Sequence, residues 1–393
     1  MTDSPAVSPA ASLDILARLV AFDTTSHLSN LPCIDWIESY LGRFGVACER
    51  FPDATGRKAS LFASIGPAGR GDGYILSGHT DVVPVTGQDW SADPFVLRVA
   101  DGRAVGRGAT DMKGFLACCL AAAPQMAAAP LKRPIHLAFS YDEEIGCVGV
   151  VPMVEALAAR GFRAAGCLVG EPTSMGLIVG HKGKQAVRAT VAGLSCHSSR
   201  APEGVNAVEY AARLVAHIHA VGARLAASGP RDPAYDIPFS TFQTSVMRGG
   251  QAVNIIPDLC TFDFEARVIA ADDRDAIVGE ARRYAAEALE PEMKRVAPGA
   301  GISFEIISDA STLETAPDSE IALLAGRLAG RNDWAKVAFG TEACHFASIA
   351  NIPSVVIGPG SIEQAHKPDE WIALSELAAC DAFLARLISH CRA

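Results

Sequence analysis

Tyr74-Ile75-Leu76-Ser77-Gly78-His79-Thr80-Asp81 runs from a short apolar stretch straight into a glycine, a histidine and an acid. Such a stretch reads as a buried strand whose carboxyl end opens on a site. Two more apolar runs end the same way. Ile135-His136-Leu137-Ala138-Phe139 leads to Tyr141-Asp142-Glu143-Glu144-Ile145-Gly146, and Cys167-Leu168-Val169 leads to Gly170-Glu171-Pro172-Thr173. Helical spacing surrounds these runs. Leu13, Leu16, Leu19 and Val20 come after Ser12, a candidate N-cap. Ile34, Ile37, Leu41 and Phe44 repeat the pattern up to Gly45. The stretches 112–126 and 151–159 read as helices too. Strands alternating with helices predict an α/β sheet with helical cover, and ligand sites in such sheets gather at the C-terminal strand ends.

The chain has 393 residues and a formal charge of −10, from 34 Lys and Arg against 44 Asp and Glu. A phosphate-binding surface needs an excess of cations, so the charge argues against nucleic acid as a partner. An apolar fraction of 49% with 20% charged residues suits a globular chain and not a disordered one. Eleven cysteines, odd in number and without a C-x-x-C, predict reduced thiols and a cytoplasmic setting. Residues 1–11 lack the basic start and continuous apolar core of a signal peptide. The most apolar window, 115–130, contains Pro124 and Gln125 and is too short to span a bilayer, so no membrane partner is expected.

The pattern changes near Lys182. Residues 186–192 alternate, a helix comes next over 207–225, and strands over 240–247 and 253–268 meet across Gly249-Gly250. In the second of these, Cys260, Phe262, Phe264 and Ala266 face one way and Thr261, Asp263, Glu265 and Arg267 the other. A helix over 273–289 and a strand over 302–307 complete a β-α-β-β-α-β order, the ferredoxin-like unit. After Asp309 the α/β pattern resumes, with strands at 334–339 and 354–357 and a last helix at 374–390. The expected organisation is a catalytic α/β domain in two parts, 1–181 and 311–393, with a ferredoxin-like α+β domain, 182–310, inserted between them.

Taken singly, the polar residues have plain readings: an acid before a helix is a cap, a Glu-Glu pair is solvated, a histidine after a strand sits in the core. Their joint occurrence points elsewhere. Imidazole with several carboxylates suits a borderline divalent ion such as zinc. Two histidines with three carboxylates exceed the needs of one tetrahedral site and fit two ions sharing a bridging carboxylate, roughly 3.5–4 Å apart.

Gly78-His79-Thr80-Asp81-Val82-Val83-Pro84, Gly106-Arg107-Gly108 with Asp111-Met112-Lys113-Gly114, Asp142-Glu143-Glu144, Gly170-Glu171-Pro172-Thr173 and Gln364-Ala365-His366-Lys367-Pro368-Asp369-Glu370 occur in this order. Together they resemble the signatures of the M20 family of dinuclear zinc amidohydrolases and peptidases, over nearly the whole chain. Within that family the resemblance is nearest to the branch that deacetylates acetylornithine, on Phe115, Ser140 to Cys147, His181-Lys182-Gly183 and Phe339-Gly340-Thr341-Glu342-Ala343. Cys344-His345 departs from that branch, where a glycine is more familiar.

The resemblance implies a linear-amide hydrolase that converts N2-acetyl-L-ornithine to L-ornithine and acetate, a step of arginine biosynthesis. The alternative is the same chemistry on acetylcitrulline, N-succinyl-diaminopimelate or another N-acylamino acid. It also implies two metal ions per chain, zinc or cobalt: His79 and Glu171 on one, Glu144 and His366 on the other, Asp111 bridging, and a cis Asp111–Met112 bond. Glu143 becomes the general base, and Asp81 fixes the tautomer of His79 by bonding its free nitrogen. His197, which on its own reads as a loop histidine in a Ser-rich turn, becomes an oxyanion donor reaching a partner subunit's site, so a homodimer through the inserted domain is expected. Arg267, otherwise a solvated strand residue, is the candidate for the substrate carboxylate, with Asn254 as a further contact. Glu342 is the candidate for the cationic end of ornithine, with Gly340 and Thr341 as further substrate contacts. A non-catalytic binding protein on the same fold would lack part of the ligand set or Glu143; here all are present.

Overall fold

The computed structural model describes residues 9–393, so the reading of residues 1–8 lies outside it. The described residues divide into two units. One is the chain to Gly180 with Leu313–Lys336 and Thr341–Ala393; the other is His181–Thr312 with Val337–Gly340.

A nine-stranded sheet organises the first unit. Its order is Cys48–Pro52, Ala59–Ile65, Ile135–Ser140, Tyr74–His79, Gly166–Val169, Ser354–Val356, Ile178–His181 and Leu313–Glu314, with Ala335–Val337 paired to Ile178–His181. Tyr74–His79 lies parallel to both Ile135–Ser140 and Gly166–Val169, and all three strands are buried throughout. Parallel strands covered on both faces carry continuous apolar runs, which is why these three are the legible ones. Cys48–Pro52 and Ala59–Ile65 extend the sheet antiparallel. Neither strand has a clear apolar run: Cys48–Pro52 is an edge strand with no fully buried residue, and Ala59–Ile65, though buried at six of seven positions, interleaves Ser60 and Ser64 with its apolar residues.

The helix Lys113–Ala128 is apolar nearly all round, with Phe115, Leu116, Cys118, Cys119, Leu120 and Met126 almost wholly inaccessible. It shares one core with Pro9–Val20 and Leu374–Cys391. Ser12 does not cap: the helix starts earlier, and the buried Ser12 hydroxyl donates to Asp381 Oδ1 at 2.6 Å. No helix among the described residues is long and apolar enough to cross a membrane.

The second unit holds a four-stranded antiparallel sheet ordered Thr241–Gly249, Leu259–Val268, Gly183–Ala192, Gly301–Ala310. Numbered along the chain this is 2-3-1-4, the ferredoxin-like arrangement. The alternation in Leu259–Val268 puts Cys260, Phe262, Phe264 and Ala266 in the core, where Ala207–Ser228 and Arg274–Tyr284 pack. Asn206 and Asp273 cap those helices with their side chains. The strand expected over 253–268 is interrupted. Ile255–Ile256 pairs with Cys196–His197, and only from Leu259 does the chain join the main sheet. Pro257, between them, has no N–H to give a ladder. The helix expected over 273–289 passes through a π turn at Ala285–Leu289 and continues as Glu290–Val296.

Candidate metal centre

Strand register brings the three chemistry-bearing ends level: His79 lies opposite Ser140, and Ser77 opposite Val169. Asp142-Glu143-Glu144 and Gly170-Glu171 therefore leave the sheet beside His79. Gly170 is needed there, since a β-carbon on it would lie 2.0 Å from the Phe115 ring. Asp111 stands just ahead of helix Lys113–Ala128 and is joined to Met112 by a cis peptide bond. His366 comes after the turn Ile362–Gln364 with φ of 63°.

These side chains converge. His79 Nε2 is 3.1 Å from Asp111 Oδ1 and 3.9 Å from Glu171 Oε1. His366 Nε2 is 3.2 Å from Asp111 Oδ2 and 3.0 Å from Glu144 Oε2. Ligand atoms of His79, Glu143 and Glu171, and of His79, Asp111 and Glu144, lie within 4.8 Å of one another. His79, Asp111 and Glu171 are buried, whereas His366 is exposed. The Glu143 Oε1 accepts the Cys147 thiol at 3.0 Å.

A polar scaffold holds the cluster, and much of it has no counterpart in the sequence reading. Nδ1 of His79 is 2.9 Å from the peptide oxygen of Asp81, with the Asp81 carboxylate farther off at 3.5 Å. That carboxylate instead accepts Ser26 Oγ at 2.8 Å and the backbone N–H groups of Glu143 and Glu144 at 3.1 and 3.3 Å. Asp81 therefore orients His79 through its backbone and the Glu143-Glu144 turn through its side chain. Lys58 clasps Asp142 at 2.6 and 2.7 Å and steadies the same turn. Glu370 Oε1 accepts the backbone N–H groups of Thr110 and Asp111 at 2.9 and 3.1 Å, and its other oxygen meets Arg107 at 2.7 Å. Both partners of that ion pair are buried. Arg107 also bonds Gln88, whose amide donates to the His366 peptide oxygen at 2.8 Å. Arg107 and Glu370 stand in the quoted motifs, but nothing in a sequence tells a buried brace from a solvated charge.

The electrostatics favour a bound cation. Burial pushes Glu143 up to about 8 and Glu144 to about 7, with repulsion from neighbouring carboxylates adding to both. Burial lifts Glu171 well above the carboxylate range. Asp111 goes the other way: burial opposes it, but hydrogen bonds from His366 and His79 prevail. Those to Asp111 and Glu144 in turn raise His366 to about 10. The ion pairs of Asp111, Glu144 and Glu171 are all with histidine. Four packed carboxylates with two imidazoles fit a divalent metal site, in both donor type and charge.

The other candidates sit differently. His197 is exposed on the second unit, its Nδ1 2.8 Å from Ser199 Oγ. Asn254, also exposed, accepts the Ser198 N–H through its peptide oxygen at 3.0 Å, so it shares the His197 loop. Arg267 is half-buried and paired with Glu265 at 2.8 Å. Gly340 is half-buried and Thr341 buried. Glu342 departs from its expected role of facing a ligand. It is 0% exposed, and its two oxygens accept Ser77 Oγ at 2.6 Å and Ser140 Oγ at 2.5 Å. The acid turns into the sheet instead.

A carboxylate-rich cluster at parallel strand ends, with an inserted ferredoxin-like unit, is the arrangement of a metal-dependent hydrolase. The model of peptidase family M20/M25/M40 matches residues 75–390, and the chain belongs to that family. It is 33% identical to an acetylornithine deacetylase of Myxococcus xanthus over 95% of this chain and 96% of the relative. It is 32% identical to an acetylornithine deacetylase of Photorhabdus laumondii over 94% and 93%. Among solved structures, the aminopeptidase PepT of Bacillus cereus superposes with a TM-score of 0.73 at 21% identity, over 98% of this chain and 99% of that one. The M20 metallo-carboxypeptidase Sso-CP2 of Sulfolobus solfataricus gives 0.75 at 16% identity, over 97% and 99%. At these identities the structures attest the fold.

Proposed function

We propose that the chain is a dinuclear metal amidohydrolase that cleaves the acetyl group from the α-nitrogen of N2-acetyl-L-ornithine, releasing L-ornithine and acetate. One observation carries the dinuclear reading: Asp111 offers one oxygen to each histidine, with Glu171 on the side of His79 and Glu144 on the side of His366. His79 with Glu171 would hold one ion, Glu144 with His366 the other, and Asp111 both. Two zinc ions, or cobalt on the same ligands, would supply polarisation of the amide carbonyl and acidification of the attacking water. Among the described residues, Glu143 is the acid beside the set with no imidazole in an ion pair. As general base it takes a proton from the water and returns it to the leaving amine nitrogen. The Cys147 thiol holds its carboxylate in place.

The second unit would supply substrate contacts. His197 is proposed as the donor to the developing oxyanion, and Arg267, with its planar fork, as the partner of the substrate carboxylate. The unit is also proposed to form a homodimer that carries His197 to a neighbour. Its edge strands Thr241–Gly249 and Gly301–Ala310 support this, with Met247, Ile306 and Ile307 at 42, 50 and 45% exposure. The acetylornithine reading is supported by the motif resemblance and by the names of the relatives.

Steady-state assays on acetylornithine, acetylcitrulline and succinyl-diaminopimelate, with metal content measured on the same sample, test the proposal. The expected result is two divalent ions per chain and the highest kcat/KM on acetylornithine. A higher kcat/KM on another acyl-amino acid overturns the substrate, and full activity with no metal overturns the chemistry.

A further inference from the structure

Glu342 is a buried acid that the proposed reaction does not use. It belongs to the first unit, just ahead of helix Ala343–Ala350, and is 0% exposed. Its plain reading is a helix cap, but its side chain makes no capping bond, and Thr341 Oγ1 accepts the Ala343 N–H at 3.3 Å. Both carboxylate oxygens go to the sheet, Oε1 to Ser77 Oγ at 2.6 Å and Oε2 to Ser140 Oγ at 2.5 Å. Neither oxygen forms an ion pair among the described residues. A carboxylate taken out of water needs an opposite charge as well as hydrogen bonds. The helix end supplies a fraction of one, and the serines supply none.

The two serines locate the carboxylate. Ser77 is two residues before His79 in strand Tyr74–His79, so both side chains leave the strand on one face. Ser140 lies opposite His79 in the parallel neighbour Ile135–Ser140, on that same face. Glu342 is therefore fixed beneath the end of the sheet where His79 meets Glu171 and Asp111. The charges are felt across this short span. Glu171 is raised by burial and then by repulsion from Glu143, Asp111 and Glu342. Glu342 is raised by burial too, against the bonds from Ser140 and Ser77 and the charge of His79. With metal bound, the positive charge on that side is the ion's.

Resting on the dinuclear reading, we propose that Glu342 is a positioning residue of the metal centre. Its buried negative charge, held by Ser77 and Ser140, is the counter-charge of the ion on His79 and Glu171. It acts on that ion in preference to the one on Glu144 and His366, because both serines flank His79.

The test is a titration of the metal-free protein with zinc against a chromogenic chelator, with melting temperatures taken without and with zinc. The wild type should bind two ions; fewer than two overturns the dinuclear reading and this inference with it. Glu342→Gln keeps the shape and can still bond both hydroxyls. It should weaken one ion by about 10–100-fold, leave the other in place, and shrink the rise in melting temperature that zinc produces. Its metal-free melting temperature should not fall, because a neutral amide replaces a buried charge. The triple variant Ser77→Ala/Ser140→Ala/Glu342→Leu fills the same place with apolar groups and should lose the same ion, which keeps the proposal open to refutation if the glutamine variant does not fold. Two ions held as tightly as in the wild type overturn the proposal while the dinuclear reading stands, and a lower metal-free melting temperature beside them assigns Glu342 to packing. Equal weakening of both ions also overturns it. So does a KM raised at saturating zinc for acetylornithine but not for acetylcitrulline, whose far end is uncharged, since Glu342 would then face the substrate.

Discussion

The acidic cluster of the first unit and the polar residues of the second stand in opposite physical states. His79, Asp111 and Glu171 are 5% exposed or less, and backbone and side-chain bonds set the directions of His79, Asp111 and the Glu143-Glu144 turn. His197 and Asn254 are exposed, and Arg267 has one acid beside it. The first arrangement is preorganised: its scaffold fixes the ligand directions before any ion arrives, as a metal site requires. The second holds donors on a surface whose core lies elsewhere. Changes to the ligands and braces of the first unit should therefore move metal content or stability. Changes in the second should move kinetics alone.

Five experiments can break or sharpen that contrast. The largest effect is expected from chelation, which should reduce activity to background and let zinc or cobalt restore it; activity that persists in metal-free protein contradicts a metal site. Next is Glu143→Gln, which should lower turnover by roughly 10²–10⁴-fold with both ions retained by elemental analysis. Near-normal turnover would mean that the base is another residue. His197→Ala should cost roughly 10²–10³-fold in kcat without change in metal content or melting temperature. Mixed with Glu143→Gln subunits, it should regain activity in up to about half of the heterodimer's sites. Confirmed subunit exchange with no recovery would rule out action in trans.

The fourth concerns the brace. Glu370→Gln should weaken metal binding by about 10–100-fold and destabilise the fold by about 3–5 kcal/mol, because Arg107 is left buried without its acid. The double variant Arg107→Met/Glu370→Gln should recover stability but not metal affinity; recovery of both would reduce the pair to a packing role. The smallest effect is Arg267→Lys, expected to raise KM by about tenfold at unchanged kcat, since a point charge replaces a bidentate fork. A change in metal content instead would erase the distinction between the two regions.

The legible parts of the molecule share a cause. Strands buried on both faces write themselves as apolar runs, so Tyr74–His79, Ile135–Ser140 and Gly166–Val169 could be found, and the polar residues adjoining each run could be placed at the sheet's end. The half-buried edge strand Cys48–Pro52 has no such signature. Ser12 looked like a cap because its own neighbours said so, but its partner is 369 positions away. Glu342 was expected at the substrate from the resemblance, but its two hydroxyl partners come from two strands distant in sequence.

By itself, then, the sequence determined the alternation of elements, the ferredoxin-like order of the inserted segment, and the residue types that stand at the strand ends. These come from local periodicity and from polar residues next to apolar runs, which neighbours along the chain suffice to specify. Only the tertiary structure decided which oxygen of Asp111 meets which histidine, that the Asp81 carboxylate serves the Glu143-Glu144 turn, and that Arg107 and Glu370 are buried together. Each of these depends on the distance between residues far apart in the chain. The burial that turns a charge from solvated to structural is a property of the packed core, which no single segment contains.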